Sequence, residues 1–157
     1  MALTTYTSYA SIRAALQVSA RELPDTTLAA GLYVNSLEAA FVNLDADFVT
    51  NFTAAAAEST TAALNFVRDV DTFAAYYVAQ MCMPVLLTKS ITDGKAGFIR
   101  QSDRAYLDAV ARLDREFTRA LTNLSAVYDT YASTSTTAVS PVYLAISELA
   151  TDPVTGS

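Results

Sequence analysis

The chain has 157 residues, enough for one domain with a single substantial core and too few for two. Half of it is apolar and it carries only four Gly and four Pro, which argues for a helical globular domain rather than a β-rich fold or a disordered chain. The net charge of −6 excludes a general attraction to nucleic acid or anionic membrane, so any such contact has to be local.

The opening segment, MALTTYTSYASIRAALQVSA, has neither a basic start nor a sustained apolar run and does not read as a signal peptide. Tyr9, Ile12 and Leu16 fall at helical spacing behind residues that can cap, which predicts a short helix from about Ser8 to Leu16. Ser19 and Glu22 have capping-box spacing, but Pro24 follows too closely for that turn to grow. Asp25 is the better N-cap, and Leu28, Leu32, Leu37, Phe41 and Leu44 predict a second helix to about Asp45, weakened by Gly31.

After a polar break, Leu64, Val67, Val70, Phe73, Tyr77 and Met81 predict a third helix from Ala54 or Ser59 to Leu87, bent or ended by Pro84. Its longest apolar run, Val78 to Leu87, is interrupted by Gln80 and Pro84 and falls short of the ~20 residues a membrane span needs. No membrane contact is expected, and the chain reads as soluble and intracellular. Cys82, the single cysteine, cannot form an internal disulfide and reads as a small buried apolar side chain.

The fourth helix, Gln101 to Tyr131, gives the clearest signal. At ~100° per residue Tyr106, Val110, Leu113, Phe117, Leu121, Leu124, Tyr128 and Tyr131 share an arc of roughly 80°, on a helix ~46 Å long. A helix of that length pairs with the third in an antiparallel hairpin, packs on another copy, or does both. Past Tyr131 the sequence turns to Ser, Thr and Pro around one apolar island, VYLAISEL. Residues 132–157 therefore read as an extended arm following a helical domain over 1–131, with Val142, Tyr143, Leu144, Ile146 and Leu149 as the part that docks. The expected fold is all-α, a bundle of about four helices with a long hairpin, a short loop or β-hairpin at its tip, and this arm.

Chemistry is scarce. The absence of histidine removes the commonest general base and metal ligand, and one cysteine leaves no zinc set. Asp45 with Asp47 and Asp69 with Asp71 stand two apart, where helical side chains diverge. Gly94 and Gly97 lack the Lys-Ser or Lys-Thr of a phosphate loop. Two Asn-x-Ser/Thr triplets read as chance matches. No enzyme activity, cofactor or metal is expected.

Charge is distributed unevenly. Lys89, Lys95, Arg100, Arg104, Arg112, Arg115 and Arg119 are seven of the ten basic residues, and the five arginines share an arc of ~120° roughly opposite the apolar stripe. That face can be a solvated surface, a nucleic-acid contact or a subunit contact. Asp108 interrupts it and aromatics do not interleave with it, which disfavours nucleic acid. The first 60 residues hold Glu22, Asp25, Glu38, Asp45, Asp47 and Glu58 against Arg13 and Arg21, so copies arranged head to tail could set acidic surface against basic. The stretch SITDGKAGFIRQSDR joins the two long helices. Asp93-Gly94 is a tight-turn signal, Ile91 and Phe98 flank it, and Lys95 and Gly97 complete a loop placed to project.

The opening pattern TTYTSYASIRAALQVSARELPDTTL, the long helix ending in ITDGKAGFIR, the second long helix and the close DPVTG together resemble the head-to-tail adaptor (connector) proteins of tailed bacteriophages. One departure is visible, Leu16-Gln17-Val18-Ser19 where such proteins are expected to have LGVS. The resemblance implies a helical virion protein that forms a ring, of twelve copies, beneath the portal at the capsid vertex. There it would extend the channel through which genomic DNA passes, without sequence-specific binding, and would present a surface to the tail or nozzle protein. It further implies that an arm matching Ala138 to Leu149 reaches the portal or a neighbouring subunit. The arginine face and the arm are then candidate subunit or portal interfaces, and the 91–98 loop a candidate tail-facing one. The alternatives are another helical phage component, such as a small terminase-like DNA-packaging ring, and an intracellular enzyme using a carboxylate. The acidic N-terminal third, where a basic recognition helix belongs, disfavours the packaging ring.

Overall fold

The computed structural model describes residues 1–92 and 99–137, with backbone alone for 87–92, 99–106 and 135–137; over these residues every regular element is helical. A 3-10 turn at Leu3–Thr5 precedes α1 (Tyr9–Leu16), α2 (Asp25–Leu28), α3 (Gly31–Leu44), α4 (Phe48–Ala56), α5 (Thr61–Thr92) and α6 (Ile99–Thr137). Six α-helices thus stand where about four were expected, and each difference has a physical cause.

α1 begins where the capping residues place it, with Ser8 Oγ accepting the Ser11 N–H at 3.0 Å and Ile12 fully buried. It ends at Gln17, whose φ of 60° puts it in the left-handed region. The Gln17 N–H donates to the Ala14 carbonyl and the Val18 N–H to the Arg13 carbonyl, a complete Schellman motif. Ser19 and Glu22 close reciprocally, Glu22 Oε2 taking the Ser19 N–H at 2.8 Å and Ser19 Oγ taking the Glu22 N–H at 3.4 Å. Pro24 stops that turn, as its spacing predicts.

The expected second helix is split. Asp25 is not its cap but the first residue of the one-turn α2, where it is salt-bridged to Arg13; Ala30 is extended and α3 starts afresh at Gly31. On an unbroken helix Leu28 and Leu37 would lie about 180° apart. Both are fully buried, which requires the break. Leu32 and Leu44, expected on the buried stripe, are instead 66% and 40% exposed, while Tyr33, Val34, Leu37 and Phe41 face the core.

The polar stretch expected between the second and third helices contains α4. Its Val, Thr and Asn residues have weak helix propensity, and burial of Phe48, Phe52 and Ala55 along one side supports it instead. Asp45 and Asp47 bracket the corner before it, with Asp45 Oδ1 accepting the Asp47 N–H at 2.7 Å.

α5 is the central helix, packed by α1, α3, α4 and α6. Its buried seam is Ala63, Phe66, Val70, Phe73, Ala74, Val78 and Cys82; Leu64, expected on it, is 57% exposed. Cys82, five turns further on, lies on the same side of α5 as Leu64 and is buried, so Leu64 is exposed because neighbouring elements do not cover the start of the helix on that side. Pro84 does not end the helix, which continues to Thr92. Proline costs an intrahelical hydrogen bond there, but Cys82 is buried and Met83 and Leu86 pack against the core on either side.

α6 packs on α5 in antiparallel order: Phe66 meets Tyr128 and Tyr131, Phe73 meets Phe117, and Gln80 Nε2 donates to Asp114 Oδ1 at 2.8 Å. Its stripe is as spaced in the sequence, with Leu113, Leu124, Tyr128 and Tyr131 buried and Val110, Phe117 and Leu121 half-buried. The helix runs past Tyr131 to Thr137, so the first residues assigned to an arm belong to α6. Aromatic rings run continuously from Tyr6, Phe41 and Phe48 through Phe66 and Phe73 to Phe117, Tyr128 and Tyr131. This network fastens the N-terminal helices to the long pair.

Candidate interaction surfaces

The predicted basic face is built on α6, and its members differ in role. Arg112 is half-buried and donates through Nη2 to the Ala15 carbonyl at 3.1 Å. Ala15 lies in the last turn of α1, where carbonyls lack intrahelical partners and the helix dipole favours a cation. Arg112 therefore clamps α1 to α6. Arg115 and Arg119 are exposed beside it on the same side of the helix, while the side chains of Arg100 and Arg104 lie outside the described residues. Among the described residues, Arg115 and Arg119 are thus the part of the stripe available to a partner.

The acidic residues of the N-terminal third largely staple the fold. Asp25 holds Arg13, and Glu38 accepts the Tyr6 hydroxyl at 3.1 Å. Glu58 accepts the Tyr131 hydroxyl at 3.1 Å, and Glu22 and Asp45 close turns. Three of them gather at one end of the long pair. Burial, then Glu58, pushes the Tyr131 hydroxyl up; burial also raises Tyr128, with Asp45 and Asp47 adding to it and Asn51, which donates to its hydroxyl at 2.8 Å, opposing. Arg115 lies ~24 Å along α6 from Tyr131, with exposed Asp108 and Asp114 on the same stretch of helix, while exposed Arg68 stands near the acidic end.

At the opposite end the cover over the long pair thins. Tyr33 on α3 hydrogen-bonds the Cys82 thiol, and burial raises the thiol above its usual range, the state of an unreactive cysteine. Beyond Cys82, Val85 and Leu107 are 46% and 63% exposed, and an open cleft between the helices is lined by Gln80, Met83, Pro84, Val110, Leu113 and Asp114. Ile91 sits in the last turn of α5. Asp93, Gly94, Lys95, Gly97 and Phe98 lie outside the described residues, as do Val142, Tyr143, Leu144, Ile146 and Leu149.

Among the described residues no three His, Cys, Asp or Glu side chains approach closely enough to hold a metal ion, and no helix is long and apolar enough to cross a membrane. The Arg112 clamp and the left-handed Gln17 were not read from the sequence. The first depends on the approach of α1 to α6, a contact between residues 97 apart in the chain. The second had a local signal, since position 17 is where the resembling pattern carries glycine. No protein-family model, curated protein or solved structure matches the chain.

Proposed function

We propose that the protein is a structural virion component, a head-to-tail adaptor that forms a ring of twelve copies beneath the portal, extends the DNA channel and provides the tail attachment surface. The observation that carries this reading is the turn at Gln17. The resembling adaptor pattern has glycine at that position, and this chain bends there through the left-handed conformation that glycine adopts without strain. The long α5–α6 pair supports the same reading, as does the distance along it between exposed Arg115 and Arg119 and the carboxylates at Asp45, Asp47 and Glu58, because head-to-tail copies need two different and complementary faces. Arg115 and Arg119 are the basic contact, the 93–98 connection is the projecting tip, and residues 138–149 reach the portal or a neighbouring subunit. On this reading the protein performs no catalysis and needs no cofactor.

The test is light scattering on size-exclusion fractions of the protein with and without portal. A monomer alone is compatible with assembly on the portal, so the mixture decides. Entry into a ring with the portal is expected, and a chain that stays monomeric beside it defeats the proposal. The charge-reversed pair Arg115→Glu with Arg119→Glu should keep the far-ultraviolet circular dichroism of the parent and fail to enter the ring. DNA binding with a steep salt dependence would move the assignment to a small terminase-like packaging ring.

A further inference from the structure

α3 carries one charged side chain in 14 residues, Glu38, which is taken up internally by the Tyr6 hydroxyl and the Met1 amino group. Its buried side is Tyr33, Val34, Leu37 and Phe41. The opposite side presents Leu32, Asn35, Ala39, Val42 and Asn43, all exposed, with Leu32 at 66% and Val42 at 54%. A helix that faces water on one side ordinarily carries charge there, and one apolar on both sides is a helix covered on both. The outer side of α3 has no charge, and Leu32 and Val42 are its large apolar residues.

A counterpart exists on the same chain. The cleft between α5 and α6 at Gln80, Met83, Val110 and Leu113 has a volume of about 270 Å³, and Leu107, 63% exposed, stands one turn from Val110. Tyr33, next to Leu32, meets Cys82; the Ser36 carbonyl accepts the Tyr77 hydroxyl at 3.1 Å, and Phe41 packs on Phe73. α3 therefore runs antiparallel to α5, with Leu32 level with the cleft. Leu32 lies roughly 155° round α3 from the middle of its buried side, so it leaves its own cleft unfilled. A second copy set alongside, long pairs parallel, can fill it. An apolar ridge and an apolar cleft on different sides, at one level, make a heterologous contact that repeats without climbing, as a closed ring needs.

Charge agrees with shape. Asp114 at the cleft meets no like charge on the ridge. α6 is also antiparallel to α5, so α3 and α6 run in the same direction. With Leu32 in the cleft of the next copy, Asp45 and Asp47, which follow α3, lie towards that copy's Arg115 and Arg119. We infer that the outer side of α3 is the apolar contact between neighbouring copies, with Leu32 seated in the next copy's cleft at Met83, Val110 and Leu113. The inference rests on the ring reading for its occupant. It adds what the arginines do not supply, because exposed charge orients copies more than it holds them.

The test mixes chains carrying Asn35→Cys with chains carrying Thr118→Cys, both exposed positions that leave Leu32 and the cleft intact, with and without portal. Cys82 is fully buried and stays out of the reaction. A short bismaleimide should join unlike chains about tenfold more often than either like pair, against about twofold for random encounter, because a heterologous contact never sets a patch against itself. Adding Leu32→Glu to the Asn35→Cys chain should return the ratio to random with helical content unchanged. Leu64→Glu, at a position 57% exposed on α5, should leave it skewed. A random ratio both with and without portal, like pairs in excess, or a skew indifferent to Leu32→Glu would each overturn the contact. A ring that forms on the portal with a random ratio removes this contact and leaves the adaptor reading standing, whereas a skewed ratio in a chain that never joins the portal does the reverse.

Discussion

Replacing Gln17 by glycine tests the fold at the residue where sequence pattern and conformation disagree. Gln17 holds φ at 60° and is the one non-glycine residue with positive φ among those described. A left-handed conformation costs an L-residue roughly 1–2 kcal/mol, because its Cβ crowds the following carbonyl. Glycine removes that cost but gives back about 0.4–1 kcal/mol through the greater freedom of its unfolded chain. The net expectation is a gain of about 0.5–1 kcal/mol, or roughly 1–4 °C in Tm for a chain of this size. Gln17→Val, β-branched at the same φ, should lose at least about 1 kcal/mol. Gln17→Asn should fall between the glycine and valine variants, because Asn tolerates the left-handed region. Urea denaturation read by circular dichroism, with m-values compared to confirm an unchanged unfolded state, measures all three. A glycine variant less stable than the parent, or a valine variant equal to it, would refute the Schellman turn and with it the observation that carries the proposed function.

Arg112→Ala should cost about 1–2 kcal/mol, because the Ala15 carbonyl loses a charged donor in a half-buried site, whereas Arg115→Ala should stay within about 0.5 kcal/mol; equal effects in urea melts would deny the clamp. Phe66→Ala should cost about 3–5 kcal/mol, since this fully buried ring touches Phe48, Phe52, Tyr128 and Tyr131 and joins α4, α5 and α6. Stability should also fall in alkali. Burial and then Cys82 push the Tyr33 hydroxyl up to about 12 from 10.0, so its contribution is complete below pH 10 and is lost between about pH 10 and 12 as the unfolded chain ionises first. Tyr33→Phe should flatten part of that slope in melts recorded from pH 8 to 12, and an unchanged slope would remove Tyr33 as its source.

Elements with one long, regular apolar period were legible in the sequence. α1 carries its cap and its stripe within nine residues, and the α6 stripe repeats often enough that no single residue decides it. The split between α2 and α3 was not legible. Leu28, Leu32, Leu37, Phe41 and Leu44 look like one apolar run until a neighbouring helix determines which of them are buried. α4 was missed because its apolar residues are few and its backbone propensity is weak. The same division runs through the candidate surface. The clustering of arginines is a property of the sequence, but only the approach of α1 separates Arg112, which holds the fold, from Arg115 and Arg119, which face outward.

By itself the sequence determined the helical character of the described residues, the position of the longest helices, the absence of histidine chemistry and the uneven spread of arginines. These follow from local periodicity and composition, which need no partner in space. The tertiary structure decided where helices break, which apolar residues remain exposed, and which charges are spent on internal contacts. Those outcomes depend on residues distant in sequence meeting around α5, because a side chain's burial and pairing are fixed by what packs against it.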